Sequence, residues 1–271
     1  MYKFLRFPGF REIAVTLSYD DGSKHDARLI EIMHRYGLKG TFNLTANRFG
    51  MWHLLSREDA RALYLPAGME VAMHGYDHLR VDACTPSDIL AEFYRDKAEL
   101  EDLFGVMMRG GAYAYGCYNE TALSVLRSLG VSYFRTVDAT GRFGFPSDPL
   151  RLHPTCHHGG GCIELFERCV AAHSDREHQR DARFFYLWGH SVEFENNGNW
   201  DLIENFGRRV AAEGDAVWNA PNIEAIDYIT AYNRLIFSVS GRRIYNPSAI
   251  DVYLLADGKE VLAKAGETTE F

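Results

Sequence analysis

Strand-like and helix-like patterns alternate along most of this chain, from residue 13 to residue 235. Apolar, β-rich runs at residues 13–19, 69–73 and 184–188 stop at polar or glycine residues, and segments with helical spacing lie between such runs. A strand, a helix and a second strand in this order form a parallel sheet with helices outside it. About seven such units fit a closed or nearly closed barrel better than an open sheet. The sequence therefore predicts an α/β fold of this kind.

The last part of the chain has a different pattern. Residues 250–255 alternate apolar and polar, Asp257-Gly258 is a strong hairpin turn, and residues 260–263 return as a second strand. We therefore predict a barrel over residues 1–235 and a small C-terminal β-hairpin appendage over residues 236–271.

Composition and charge exclude several classes of partner. The net charge is −8, with 46% hydrophobic residues, so binding to nucleic acid or to an anionic membrane is not expected. No apolar run approaches the roughly 18–20 residues that a membrane helix needs. The first ten residues lack the apolar core of a signal peptide. The chain as written is thus expected in the cytoplasm, or outside the cell if a leader has been removed. The sequence leaves the oligomeric state open.

The five cysteines do not form a disulfide framework, because their number is odd and their density is low. Free thiols in a reducing compartment are the simplest interpretation. The alternative is a structural zinc site at the cluster of Cys156, Cys162 and Cys169, which has His157 and His158 within it, although the spacing fits no familiar zinc template.

Polar side chains follow four of the predicted strands, at the points where those strands end. In parallel α/β folds catalytic groups lie at the carboxyl ends of strands, so these motifs are expected to meet on one face of the barrel. The motifs are Asp20-Asp21-Gly22, His74-Gly75-Tyr76-Asp77-His78, Tyr113-Ala114-Tyr115-Gly116 and Trp188-Gly189-His190.

The histidines and the acid pair predict a metal centre. His74 and His78 are four residues apart, so one helical turn would put both imidazoles on one side, an arrangement that suits a divalent metal. One carboxylate of Asp20-Asp21 would complete the site, with positions open for water and substrate. On an extended backbone the two carboxylates point to opposite sides, so the other one would approach from the water side.

These motifs resemble those of the polysaccharide deacetylases of carbohydrate esterase family four. The resemblance covers roughly residues 12–235 and depends on residues 16–22, 74–78 and 187–190. It implies a distorted (β/α) barrel of about seven strands and a hydrolase that removes N-acetyl or O-acetyl groups from sugars. The cofactor it implies is a divalent metal, usually Zn²⁺.

The resemblance also implies roles for individual residues. Asp21, His74 and His78 would bind the metal. Asp20 would be the general base and His190 the general acid. Residues 113–116 resemble the groove motif of the family, which gives Tyr115 a backbone N–H that helps to hold the oxyanion and makes Tyr113 a candidate substrate-binding residue.

The third motif departs from the family pattern. Ala114 stands where the family usually has proline, and Ala112 stands where it has the arginine that orients the base; the nearest arginine is Arg109. The family motif that orients the acid is also missing, and Asp138 is a candidate for that role.

Three further residues are candidates for contact with the substrate or the site. Trp188 is a candidate to line a pocket for the acetyl group; the alternative is that it packs in the hydrophobic core. Residues 138–161 are rich in Gly and Pro and show no clear element, and a loop that long is usually functional or mobile. His157 and His158 lie in it and are candidates to reach the site, the former as a substrate ligand.

Three other functions remain as alternatives. The same hydrolysis could act on a small acylated molecule that is not a sugar. A non-haem Fe(II) oxygenase also uses two histidines and one carboxylate, but its carboxylate usually lies two residues from a histidine, whereas Asp21 is far from His74 in this sequence. A catalytically silent sugar-binding protein would be expected to lack Asp20 or a ligand, and this chain retains them.

Overall fold

The computed structural model describes residues 3–174 and 181–271 as alternating strands and helices. The strands are, in chain order, β1 (Lys3–Arg6), β2 (Ile13–Asp20), β3 (Thr41–Leu44), β4 (Glu70–Met73), β5 (Gly110–Ala112), β6 (Tyr133–Arg135), β7 (Cys156–His157), β8 (Arg183–Gly189), β9 (Val217–Asn219), β10 (Ile236–Phe237), β11 (Arg243–Tyr245), β12 (Val252–Ala256), β13 (Lys259–Ala263) and β14 (Thr268–Glu270). The helices are α1 (Asp26–Arg35), α2 (Arg57–Leu63), α3 (Pro86–Phe104), α4 (Glu120–Ser128), α5 (Cys162–Ser174), α6 (Ser191–Asn197), α7 (Trp200–Ala212) and α8 (Asn222–Asn233).

The central sheet has eight strands, and every pairing in it is parallel. Seven strands follow the order β6-β5-β4-β3-β2-β8-β7, and β9 pairs with the first half of β2. The segment that leads into β7 joins the two edges, because Leu152 pairs with Arg135 of β6 and residues 156–157 pair with β8. The predicted distorted (β/α) barrel is confirmed.

Burial and capping explain why these segments take these forms. All eight residues of β2 are buried, as expected for a strand covered on both faces. The long helix α3 begins where Thr85 accepts a hydrogen bond from the N–H of Asp88, and it ends at Gly105 with φ of 69°. Ser56 caps α2 in the same way. Both start signals are readable in the sequence.

The C-terminal segment forms two small antiparallel sheets. The predicted hairpin is β12 and β13, joined at Asp257-Gly258, and β10-β11-β14 form the second sheet. The sequence pattern did not reveal that β1, at the other end of the chain, adds to β12. Tyr228 of α8 links the β1-β12-β13 sheet to the barrel, because its hydroxyl donates to Arg6 O at 2.7 Å and accepts from Tyr253 N at 2.8 Å. The division at residues 235 and 236 stays a prediction.

Two differences from the sequence pattern matter for the site. Residues 138–161, predicted to lack clear elements, contain β7 and a short 3-10 turn at Pro149–Arg151. Helix α6 was not predicted; it follows His190 directly. β7 pairs with the last part of β8, and α6 follows the end of that strand.

Two expectations from composition concern membranes and thiols. In residues 3–174 and 181–271, every helix is too short or too polar to cross a lipid bilayer.

All five cysteines are free, as predicted. Burial raises the pKa of Cys156, Cys162 and Cys169 to about 12. The groups of side chains placed to hold a metal in the described residues contain none of these cysteines, so the geometry does not favour the alternative zinc site.

Gly110 offers a direct test of how tightly the barrel is packed. An added Cβ would lie 1.9 Å from the ring of Tyr133, which is fully buried and held by a 2.7 Å hydrogen bond from its hydroxyl to Glu70. Gly110→Ala is therefore expected to lower the free energy of unfolding by about 1–3 kcal/mol. Gly144→Ala, where no atom lies within 4 Å of the new Cβ, is the control. Equal stability of both variants in urea denaturation would contradict the packing argument.

Candidate active site

The predicted site residues lie at the carboxyl ends of neighbouring parallel strands. Asp20 is the last residue of β2, His74 follows β4, Tyr115 lies three residues beyond β5, and His190 follows β8. Strand order therefore brings residues that are distant in sequence to one face of the barrel, as the motifs predict.

The acid pair lies at the centre of this face, but not on an extended backbone. Asp21 has φ of 77°, in the left-handed region. As a result both carboxylates face the same histidine: His74 Nε2 lies 3.8 Å from Asp20 Oδ2 and 3.6 Å from Asp21 Oδ1. The expectation that the two side chains point to opposite sides is wrong for this reason. Asp20 is buried and accepts a 2.8 Å hydrogen bond from Asn43 Nδ2, whereas Asp21 is partly exposed.

The two histidines of the second motif converge without a helical turn. Residues 74–78 form a bend, with φ of 87° at Gly75 and 60° at His78. The rings of His74 and His78 are 4.8 Å apart, and His78 Nε2 lies 3.6 Å from Asp21 Oδ1. The predicted convergence is present, but bent backbone rather than helical spacing produces it.

Two carboxylates of α3 hold this bend in place. Asp96 accepts hydrogen bonds from the backbone N–H groups of His74 and Gly75, at 3.0 and 2.9 Å. Glu92, one turn earlier on the helix, accepts from the N–H groups of Asp77 and Leu79 at 3.0 and 2.9 Å. The sequence pattern assigned neither residue to the site.

Arg135 is the partner of Asp20, and sequence reasoning missed it. The arginine is fully buried at the end of β6, and it donates to Asp20 Oδ2 and, at 3.0 Å, to Thr136 O. Burial opposes ionisation of Asp20, but Arg135 and then His74 lower its pKa to about 2. An arginine therefore does contact Asp20, although it comes from β6 and not from position 112. A charged residue inside a predicted strand was the available signal.

Glu193 is the partner of His190, and it was also missed. Its Oε1 accepts a hydrogen bond from His190 Nδ1 at 2.9 Å, which leaves His190 Nε2 facing Asp20 and Asp21 at 4.0 and 3.9 Å. Burial alone would lower the pKa of His190, but Glu193 and the acid pair raise it to about 9. Asp138, the sequence candidate for this role, instead lies 3.6 Å from His153 and is exposed.

The two tyrosines of the third motif differ in exposure. Tyr115 is 58% exposed, with φ of 56° and its ring 4.7 Å from that of His78. Tyr113 is 1% exposed, and its hydroxyl donates to Leu150 O at 2.9 Å. The structure therefore contradicts a substrate-binding role for the Tyr113 side chain, because it packs in the core.

Trp188 and His157 lie on the other side of the centre, beside His190 and Glu193. The Trp188 ring covers the guanidinium of Arg135 at 4.4 Å and is 5.8 Å from the ring of His190. Its side chain is partly exposed and is placed to line a pocket. Its buried Nε1–H has no hydrogen-bond partner within the described part of the chain. His157 Nε2 is 2.9 Å from Glu193 Oε2.

The donor set at Asp21 fits a divalent cation. His74 Nδ1 is 2.8 Å from Ala112 O, so Nδ1 carries the proton and Nε2 presents a lone pair. His74 Nε2 and His78 Nε2 each lie 3.6 Å from Asp21 Oδ1, which is too long for a hydrogen bond. Ligands bound at about 2.1 Å in a tetrahedron are about 3.4 Å apart. The separations therefore suit a cation between these atoms.

The sequence of residues 9–134 matches the family profile described as "Polysaccharide deacetylase". A relative from Bacillus subtilis strain 168, named "Putative polysaccharide deacetylase YxkH", is 25% identical over 120 residues, which are 44% of this chain and 43% of that protein. The chain spans about half the length of the curated relatives it matches.

Solved structures share the fold. A crystal structure described as a "putative polysaccharide deacetylase from Mycobacterium smegmatis" matches with a TM-score of 0.63 and 18% identity, over 84% of this chain and 94% of that one. A "CE4 family pseudoenzyme" from Bacillus anthracis matches with a TM-score of 0.52 and 14% identity, over 82% and 68%. The fold therefore accommodates inactive proteins as well. The comparisons confirm the resemblance that the motifs predict: over residues 9–134, which carry three of its four motifs, this chain is related to the polysaccharide deacetylases.

Proposed function

We propose that this protein is a metal-dependent hydrolase that removes acetyl groups, N-acetyl groups first of all, from a carbohydrate. The observation that carries the proposal is the convergence of Asp21, His74 and His78 at cation-binding separations, with Asp20 and His190 facing the same space. A base and an acid that flank one electrophilic centre are what amide hydrolysis requires.

Asp21, His74 and His78 would hold the metal, and two imidazoles with one carboxylate suit Zn²⁺. A divalent cation in such a site acidifies a bound water and polarises a carbonyl. The same three residues leave positions open for water and substrate.

The protein's own groups divide the proton transfers. Asp20, ionised and fixed by Arg135 and Asn43, accepts the proton of the attacking water. His190 donates a proton from Nε2 to the departing nitrogen, which leaves poorly as an anion. The backbone N–H of Tyr115, beside His78, would stabilise the oxyanion.

A panel of substrates tests the proposal. The purified chain is expected to release acetate from N-acetylglucosamine oligomers, peptidoglycan fragments or O-acetylated xylan. Treatment with a chelator should abolish the release, and added Zn²⁺ should restore it. Acetate release only from small acylated amides would favour the non-sugar alternative. Binding of glycans without any hydrolysis in the presence of Zn²⁺ would show a silent sugar-binding protein instead.

A further inference from the structure

Three imidazoles converge on the carboxylate of Glu193. His157 Nε2 and His158 Nε2 each lie 2.9 Å from Glu193 Oε2, and His190 Nδ1 lies 2.9 Å from Oε1. His157 is the last residue of β7 and His158 follows it, whereas His190 and Glu193 lie at the start of α6. The end of the strand and the start of the helix therefore meet through one side chain.

The surroundings fix which ring nitrogens carry protons. The N–H of Gly159 donates to His157 Nδ1 at 3.1 Å, so the proton of His157 is on Nε2 and is donated to Glu193. His158 Nδ1 is buried and has no hydrogen-bond partner among the residues that the structure describes; it lies against Gly189, where a Cβ would be 2.1 Å away. A proton there would have neither room nor acceptor, so His158 also donates from Nε2 to Glu193.

The distances separate this cluster from the cation site. Around Asp21 the facing atoms are 3.6 Å apart, which is too long for a hydrogen bond. Around Glu193 all three contacts are 2.9 Å, the usual length of an N–H···O hydrogen bond. Hydrogen bonds therefore hold the Glu193 cluster together, although its side chains are of types that can also bind a metal.

A glutamate at this position needs such support. Its side chain is one third exposed and lies on the first turn of a seven-residue helix. Fixing a free glutamate side chain costs conformational entropy, and this cost is among the largest for any side chain. His158 is well placed to offset this cost, since its ring is buried and stacked on Phe194 at 4.2 Å and on Tyr19 at 5.9 Å. The core thus anchors Glu193 through His158.

Resting on the proposed function, we infer that His157 and His158 are positioning residues that act through Glu193 on His190. Their two N–H donors occupy Oε2, which leaves Oε1 to receive the Nδ1–H of His190 and to aim Nε2 at the acid pair. His157 is then not a substrate ligand, as its sequence position suggested, but part of the support for the acid.

Kinetics of matched variants test this inference. His158→Leu and His157→Leu remove the donor and are expected to lower kcat on an N-acetyl substrate by about 10- to 100-fold, as for other outer partners that orient a reacting group, with KM little changed. His158→Gln and His157→Gln keep an N–H donor and should recover most of the loss. The loss should be smaller on an aryl acetate with a good leaving group, because its oxygen departs without protonation.

Controls come from the segment that precedes β7 and from the same helix. His153→Leu and Glu195→Gln change residues that contact Thr136 and Trp200 instead, and both should retain the wild-type kcat. In a Glu193→Ala background, His158→Leu should add little further loss, since residues that act as a unit are not additive. A raised KM with unchanged kcat in His157→Leu would overturn the inference in favour of a substrate ligand.

A measurement that does not use activity separates this inference from the proposed function. In protein with ¹⁵N-labelled histidine, NMR should show Nε2–H tautomers for His157 and His158, and Glu193→Ala should disturb both. Zn²⁺ titrated into His74→Ala/His78→Ala should not bind at the cluster. Stoichiometric binding that depends on Glu193 would overturn the inference. An inactive wild type with the expected tautomers would instead contradict only the proposed function.

Discussion

Asp20→Asn is expected to keep the metal and to lose most of kcat, by about 10²–10⁴-fold. The amide has the shape of the carboxylate and can still accept the 2.8 Å hydrogen bond from Asn43 Nδ2, but it cannot take a proton from water. Since Asp20 would act only when the water attacks, substrate affinity should change little, as expected for a contribution made in the transition state.

Asp21→Asn is expected to lose activity for a different reason. Asp21 Oδ1 is the atom that faces both His74 Nε2 and His78 Nε2 at 3.6 Å. A neutral amide there should weaken metal binding, and high concentrations of Zn²⁺ should partly recover activity. The roles are not interchangeable, because a carboxylate that binds a metal has its lone pairs engaged and is a poor base.

Metal content by mass spectrometry, measured together with kcat for both variants, separates the two roles. Asp215→Asn, at an exposed position whose ion pair with Arg11 is 3.5 Å long, serves as the control and should behave as wild type. If Asp20→Asn loses the metal while Asp21→Asn keeps it, the two roles are reversed. If both variants keep metal and full activity, the proposed hydrolase mechanism is wrong.

The sequence predicted the sheet and the centre of the site because both depend on local signals. Strand ends follow from apolar runs that stop at polar residues, and parallel topology then brings Asp20, His74 and His190 together. The backbone at Asp21 was not predictable in this way, because its positive φ is imposed by the surrounding structure rather than by the residue type.

The supporting residues could not be found by the same reasoning. Arg135 reaches Asp20 across 115 positions of sequence, and β1 pairs with β12 from the other end of the chain. Such contacts depend on strand order, which a single sequence does not encode locally. Glu193 was easier to predict from the sequence than Arg135, because it lies three residues after His190 and the two would share a face if the segment were helical. The helix itself was missed, since it has only seven residues.

Removing the charge of Arg135 is expected to be the most destabilising of the changes considered for this chain. Arg135→Met has a similar volume but leaves Asp20, which is 2% exposed, buried without its ion-pair partner. Breaking one side of a buried pair usually costs about 3–5 kcal/mol. Activity should fall as well, because the carboxylate that we propose as the general base is then no longer held in its ionised form.

Arg109→Met is the matched control. Arg109 was the nearest arginine to the family position by sequence, but it pairs with Asp227 at 2.8 and 2.7 Å and is partly exposed. Loss of such a pair is expected to cost about 1 kcal/mol or less and to leave kcat unchanged. A comparison of the stabilities of the two variants by urea denaturation therefore distinguishes the effect of losing any arginine from the effect of losing the arginine that pairs with Asp20.

A double variant then distinguishes an uncompensated charge from lost packing. In Arg135→Met/Asp20→Asn both charges are absent, so most of the lost stability should return, because replacing a buried pair by neutral groups is often nearly neutral. Activity should not return, since the variant lacks Asp20, the proposed general base. If the double variant is as unstable as the sum of the two single variants, the sites do not interact energetically. The guanidinium would then stabilise the barrel through its stacking on Trp188 and not through Asp20.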